Sequence, residues 1–350
     1  MLAPVTHIIP LSKIRRARRL PIAGRVQVRL NQKVSATDVI AVSAMSGQHV
    51  LIDVRKALNI TRGEDVDKLI ERKVGEKLQK GDVVAQTGGL FSRVVRSPTE
   101  GVIVSIIGGQ VMLELASSPI QLLAGIPGTV VELLPERGAV IESDGALLQG
   151  VWGNNRVDAG LLISLARSAD EEIVRSRIDV SMRGAVILAG YCAQPEVFRA
   201  ADELPLRGLI LGSMSADLIP VANKVVFPVI LLEGFGRLPI NATAFNLLTS
   251  NEKRDTTLNA ANWNSFTGER PEVVIPLPAN GEIGAETDFF KAGQTVRIQG
   301  APYQGIVGVL EQVRPGLTRM PNALRVPAAD VRLENNEVIV APLANLDVLE

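Results

Sequence analysis

The sequence predicts a strand-rich, multidomain α+β protein, on three observations. Of its 350 residues, 46% are hydrophobic but only 3% are aromatic. The cores must therefore be built from Val, Ile, Leu and Ala, and the β-branched pair favours strands. A chain of this length exceeds one ordinary core and fits two or three domains. The hydrophobic rhythm also changes along it, from period-two alternation over residues 20 to 150 to alternating strand and helix patterns from about residue 184.

The first element is a basic arm, residues 1–19. No Asp or Glu occurs before Asp38, while Lys13, Arg15, Arg16, Arg18, Arg19, Arg25, Arg29 and Lys33 fall in that stretch. Clustered guanidinium groups release counterions when they neutralise a phosphate backbone, so Arg15, Arg16, Arg18 and Arg19 are candidate nucleic-acid contacts. The competing expectation is an arm paired with acidic patches of its own protein. Across the whole chain 37 basic residues balance 37 acidic ones, which argues against a surface that clamps nucleic acid everywhere.

Residues 20–155 form the second element. Val26, Val28 and Leu30 alternate, and Pro or Gly turns recur at short spacing through SPTEGVIVSI and GIPGTVVELLPERGAVIESDGALLQG. That is the pattern of a β barrel or sandwich. Within it, DVRKALNITRGEDVDKLIERKV has helical spacing through Ile60, Val66, Leu69 and Ile70, with Thr61 and Asp65 as candidate caps. The stretch ELASSPIQLLAGIPGTVVELLPERGAVIESDGALLQ resembles the second half of a biotinyl/lipoyl-type domain when aligned on Glu114 and Gly128-Thr129-Val130. The resemblance implies a barrel-sandwich hybrid fold. It also puts Ser117 where the family carries its attachment lysine, and a hydroxyl cannot form the amide that holds biotin or lipoate. No cofactor is expected.

Residues 156–255 are expected to form a small parallel α/β domain. RGAVILAGY, RGLILGSM and FPVILLEGFG read as buried strands, with helices between and after them. Pro195 suits a first helical turn, and Ser215 and Asn241 suit N-caps. The strand ends bring Ser213, Ser215, Gly234, Gly236, Arg237 and Asn241 to one edge of the sheet, where open parallel sheets bind ligands, so they form a weak candidate anion site. The lone GxG there is no dinucleotide fingerprint, and ordinary turns and caps are the competing expectation.

The Asn/Thr-rich residues 256–271 read as a linker, and residues 272–350 as a last β module. In it, FKAGQTVRIQGAPYQGIVGVLEQV is a hairpin with alternating Gln294, Val296 and Ile298 and a return strand over residues 306 to 313. This run resembles the KOW motif of NusG transcription factors and one class of ribosomal proteins, through Gly293, Val296, Ile298, Gly300, Pro302, Gly305 and Gly308. Ala301 departs from the usual Gly-Pro step. The resemblance implies an SH3-like barrel that touches RNA, the ribosome or RNA polymerase. Lys291, Arg297, Arg314 and Arg319 are then the candidate phosphate contacts, Tyr303 a stacking ring and Gly305 a point of close approach. A packing or protein-docking barrel is the competing expectation, since small barrels host many functions.

One cysteine, Cys192, excludes an internal disulfide framework, and it reads as a small buried residue. His7 and His49 read as isolated surface or turn residues, Glu171 and Glu172 as part of a solvated face, and a zinc site is not expected. Apolar runs near the N-terminus are short and broken by proline, so neither a signal peptide nor a membrane span is expected, and a cytoplasmic home is the simplest expectation. The sequence thus points to a non-enzymatic binding protein acting on RNA, the ribosome or transcription machinery. A scaffold or regulatory subunit of a protein complex, with a small-anion-sensing α/β domain, is the alternative.

Overall fold

Long runs of β-branched and aliphatic residues, punctuated by Gly, Pro and Asn, give a computed structural model made of several sheets with few helices. It describes residues 2–44, 48–60, 66–88, 92–115, 119–264, 268–278 and 287–349. The chain divides into two compact units.

The first unit contains residues 1–19, 26–41 and 122–350. Its largest sheet has eleven strands. Val157–Ser164, Ala185–Cys192, Gly208–Met214 and Val229–Phe235 pair in that order and in parallel. These runs are hydrophobic on both faces because both are covered. Ile187, Leu209, Leu211 and Leu231 pack on one side with Phe198 from helix Pro195–Glu203. Val186, Leu188, Ile210 and Ile230 pack on the other with Ala244 and Leu248 from helix Ala242–Ser250. Pro195 does occupy the first helical turn. The Asn241 carboxamide oxygen accepts from the backbone N–H groups of Thr243 and Ala244, while Ser215 makes no capping bond.

Beyond Val157–Ser164 the same sheet runs on through antiparallel pairs. Asp255–Asn259 pairs with Val157–Ser164 and with Glu272–Pro276. Glu272–Pro276 in turn pairs with the long strand Gly138–Gln149. Residues 256–271 therefore do not begin as a linker. Their first residues are a sheet strand in which Thr256, Thr257 and Asn259 are buried, and Thr is a good strand former despite its hydroxyl. Glu272–Pro276 likewise belongs to this sheet and not to the last β module.

Residues 8–19 also depart from expectation. Ile8–Arg19, the basic strand, pairs antiparallel along the long strand from Arg19 opposite Gly138 to Ile8 opposite Leu148. The arm is a strand because alternate residues carry its apolar face. Ile14 sits in a core with Ile40, Val130, Ala139 and Ile141.

The last β module is a seven-stranded sheet. It joins Thr295–Ile298, Val307–Val313, Ala328–Leu333, Val338–Pro342 and Leu346–Leu349 to Leu2–Thr6 and Thr287–Phe289. The expected hairpin is present, with Thr295 opposite Val309 and Arg297 opposite Val307. Its N-terminal strand comes from the other end of the sequence, since Val5 and Thr6 pair in parallel with Val348 and Leu349.

The second unit contains residues 20–25 and 42–121, so the span 20–155 is divided between two units. Its main sheet is antiparallel, with His49–Asp53, Gln110–Glu114, Gly101–Ile107 and Lys77–Leu78 as neighbours. Ile52, Leu78, Val84, Ile103, Val111 and Leu113 fill its own core. The helical spacing here resolves into a short helix, Val54–Leu58, capped by Asp53, and a 3-10 turn, Val66–Leu69. Thr61, Asp65 and Ser117 lie outside the described residues.

Candidate functional site

Arg297 is the candidate contact that the fold treats most differently from expectation. Its position in the strand Thr295–Ile298 turns the guanidinium into the protein, where the side chain is 2% exposed. One Nη1 donates to Glu233 Oε2 at 2.8 Å and to the carbonyl of Leu232 at 3.1 Å, and Nη2 donates to Asp347 at 3.3 Å. Glu233 is equally buried and also accepts from the backbone N–H of Asn241. Gln299 donates to the same Asp347 carboxylate. Arg297 thus joins the last β module to the α/β strands and is not a surface cation. Burying a charge is tolerable only when it is paired and hydrogen-bonded.

The other arginines of that module divide. Arg314 binds Asp330, at 2.7 Å from Nη2 and 2.8 Å from Nε, and these hydrogen bonds hold the Asp330 carboxyl below its ordinary pKa. The Tyr303 hydroxyl donates to Glu337 at 3.2 Å, the Glu337 carboxylate pushes the phenol pKa up, and the ring packs against the module's core. Gly305, in the left-handed region at φ +81°, faces Leu238. Lys291 is exposed. Arg319 lies on a small hairpin, Thr318–Arg319 with Arg325–Val326, and sits directly opposite Arg325. Both arginines are exposed, and residues 314 to 329 contain three arginines and no acid. Neither Arg319 nor Arg325 has an ion-pair partner among the described residues. Like charges directly opposite one another destabilise a strand pair, and no carboxylate among the described residues relieves this one. Leu317 and Leu324 flank it, 64% and 59% exposed.

On the basic strand most of the cations are answered by the protein's own carboxylates. Arg16 binds Glu272 through Nε and Nη2, with the shortest contact at 2.5 Å. Arg18 reaches Glu269 at 2.6 Å and the carbonyl of Ala124 at 3.0 Å. Arg15 meets Glu132 at 3.3 Å and Lys13 meets Glu142 at 3.5 Å, both near solvent. Arg19 is exposed. Glu272 is buried, yet its carboxyl pKa is lowered, because Arg16, Arg18 and Gln149 outweigh the desolvation that pushes it up. His7 is a correction: it is 3% exposed, not a surface residue. Burial, aided by Arg16 and Arg270, lowers its pKa to about 4.

The α/β strand ends come together as expected, but the side chains of Ser213 and Asn241 are already engaged, and Ser215 makes no capping bond. Ser213 Oγ donates to the carbonyl of Leu238 and accepts from its N–H. Arg237 lies over the Tyr191 ring at 5.5 Å and is 3.8 Å from Glu172. Asn241 caps its helix, and Gly234 and Gly236 take positive φ in the turn. The cavity beside Glu171, Glu172 and Gly190 has a volume of only about 10 Å³, roughly room for one water. Glu171 is itself engaged, by the N–H of Arg167 and by Arg177 at 2.8 Å, while staying partly exposed to solvent. Cys192 is buried as expected, and desolvation pushes its thiol to about 12. A thiol so placed holds almost no nucleophilic thiolate at neutral pH.

No known family model matches this chain, and no curated protein is significantly similar to it. Among the described residues no cluster of three His, Cys, Asp or Glu side chains could hold a metal, and no helix is long and apolar enough to cross a membrane. Sequence reasoning missed Glu233, Asp347 and Glu272 as partners of buried arginines. The signal was present in EGF at the end of a buried strand and in PEVVIP, where a lone carboxylate borders a fully apolar run. Such a carboxylate is a candidate for internal pairing.

Proposed function

We propose that this chain is a binding protein that engages RNA or a ribonucleoprotein through its last β module, with the hairpin around Arg319 and Arg325 as the contact. The observation that carries this reading is the cross-strand pair of exposed arginines in an acid-free stretch. A phosphate between two facing guanidinium groups relieves their repulsion and gains charge-assisted hydrogen bonds. The KOW-like run beside it supports the same partner class, although Arg297 and Arg314 are already committed to Glu233, Asp347 and Asp330.

A second reading has its own observation. Leu317 and Leu324 are large, exposed and aliphatic, and leucine offers no plane on which a base can stack. They favour a docking surface on a protein complex, the scaffold alternative.

Binding of labelled single-stranded and structured RNA across a salt series separates the two. On the RNA reading, binding weakens steeply with salt, and Arg319→Glu with Arg325→Glu lowers both affinity and the salt slope, the slope by roughly 0.7 per lost phosphate contact on single strands. Leu317→Ser with Leu324→Ser leaves RNA affinity near that of the unchanged chain. RNA affinity that ignores the arginine pair overturns the reading. Absence of RNA binding, together with capture of a protein partner lost in the leucine variant, replaces it with the scaffold reading.

A further inference from the structure

A second feature lies in the first unit and is lined by other residues than the Arg319–Arg325 hairpin. It is a groove of about 580 Å³ that follows the basic strand, touching every residue from Ser12 to Ala17 and then Arg19, with Glu132, Leu134 and Val140 across from them. Successive side chains of a strand point to opposite faces. A groove that touches six consecutive residues therefore reaches the strand's backbone as well as one of its faces.

The direction of that backbone follows from the pairing. A Cβ on Gly138 would collide with the carbonyl of Arg18, and one on Gly128 with the carbonyl of Glu142. Glu142 thus turns its backbone groups toward Gly128–Leu134, and the long strand offers Ala139, Ile141 and Ser143 to the basic strand. In register these meet Arg18, Arg16 and Ile14. The odd-numbered residues, Lys13, Arg15, Ala17 and Arg19, consequently direct their N–H and C=O groups outward. No described strand pairs with that edge. The same odd residues share one face, on which Ala17 lies opposite Val140 and leaves a low floor between Arg15 and Arg19.

We propose that this edge is a docking site for an extended acidic peptide segment of a partner protein, which adds to the sheet as a strand beside Ile8–Arg19. Charge complementarity chooses the occupant. Lys13, Arg15, Arg16 and Arg19 line the groove with a single carboxylate, Glu132. Lys13 and Arg15 are answered only by near-solvent pairs with Glu142 and Glu132, and Arg19 has no ion-pair partner among the described residues. An added strand supplies main-chain hydrogen bonds to Lys13, Ala17 and the Arg15 N–H, while the Arg15 carbonyl already accepts from Arg16 Nη1 at 3.0 Å, and side chains in alternate positions supply specificity. Acids are expected opposite Lys13, Arg15 and Arg19 and a small or apolar residue opposite Ala17, since opposite charges across a strand pair are stabilising. The Arg15–Glu132 pair, half exposed on both sides, opens to admit the peptide's carboxylate. This site is independent of the hairpin reading, because it uses other residues.

The test is fluorescence anisotropy of a labelled β-prone peptide with glutamate at alternate positions, titrated with the full chain. The peptide binds, and binding weakens with salt. N-methylation at alternate backbone nitrogens of the peptide lowers affinity about tenfold or more, the loss of one or two hydrogen bonds. Ala17→Pro, which removes an outward N–H and no inward one, has the same effect, and Glu132→Gln strengthens binding. Arg319→Glu with Arg325→Glu changes nothing. Equal binding of the N-methylated peptide, or of a single-stranded RNA of equal charge to both the unchanged chain and Ala17→Pro, overturns the proposal in favour of unspecific polyanion attraction. Absence of peptide binding also overturns it. The methylated peptide keeps the test decisive even where Ala17→Pro does not fold.

Discussion

Arg297 and Arg319 lie in the same module, carry the same charge and have opposite fates. Arg297 is enclosed with Glu233 and Asp347, and its Nε finds no partner among the described residues. Replacing it by Met leaves two carboxylates buried without their cation, and one broken buried pair costs about 3–5 kcal/mol. Arg297→Met should therefore lower the urea midpoint sharply, whereas Arg319→Glu should change stability by no more than about 0.5 kcal/mol, as surface substitutions do. A normal midpoint for Arg297→Met would show that the pair is dispensable. Cys192 makes a matching case: with its thiol pushed to about 12, it should resist alkylation in the native chain and react only on unfolding, which a thiol-titration time course reads. The burial of Cys192 was readable from its setting in a hydrophobic strand. The burial of Arg297 was not, because its acids come from Leu346–Leu349 and from another sheet, and no local pattern announces a partner 64 residues away in sequence.

The basic strand repeats this lesson along a whole element. Its charge run was plain in the sequence, and so were the alternating parallel strands and their capped helices. Its pairing was not, since the alternating burial of Ser12, Ile14 and Arg18 is not an apolar pattern in the sequence, and the strand it joins begins more than a hundred residues later. The pairing has a pH signature. His7, beside the strand, has its folded pKa lowered from 6.5 to about 4, so between those values the unfolded chain binds a proton that the folded chain refuses. Stability at neutral pH is unaffected by this group and falls as pH drops from about 6.5 to 4, by about 3 kcal/mol in total. Glu272, whose folded pKa is depressed, stabilises above its unfolded value of about 4.5, and that contribution is lost only at lower pH. A His7→Gln variant should thus flatten the upper part of the acid-unfolding curve and leave the lower part. A curve unchanged between pH 6.5 and 4 would contradict the buried neutral imidazole.

Taken together, the two units have separate cores, and besides the short excursion at residues 20–25 the chain enters and leaves the second at residues 42 and 121. Those ends are close on the first unit's side, where Ala124 N–H donates to the carbonyl of Asp38 and Gly125 N–H to that of Ala36. Replacing residues 42–121 by a short Gly-Ser linker should leave the remaining unit with a single cooperative unfolding transition, because a flexible loop between adjacent ends costs little. Loss of that transition would show that the cores are energetically one. That most of the chain is β was foreseeable from its Val and Ile content. That one β pattern running from residue 20 to 155 serves two units was not, because period-two alternation reports which face is buried and not which core buries it.

One consequence follows from the distance between Arg16 and its carboxylate partner, Glu272, which are 256 residues apart in sequence. At translation speeds of about 5–20 residues per second, the basic strand waits about 10–50 s for that partner to leave the ribosome. Until residues 138–149 emerge to pair with it, roughly the first half of that interval, the strand has both edges open, the situation in which strands aggregate. Arginines distributed through its length act as gatekeepers, keeping the strand hydrated and mutually repelling until its carboxylates arrive. The charge run is then as much a property of the chain's birth as of its finished form.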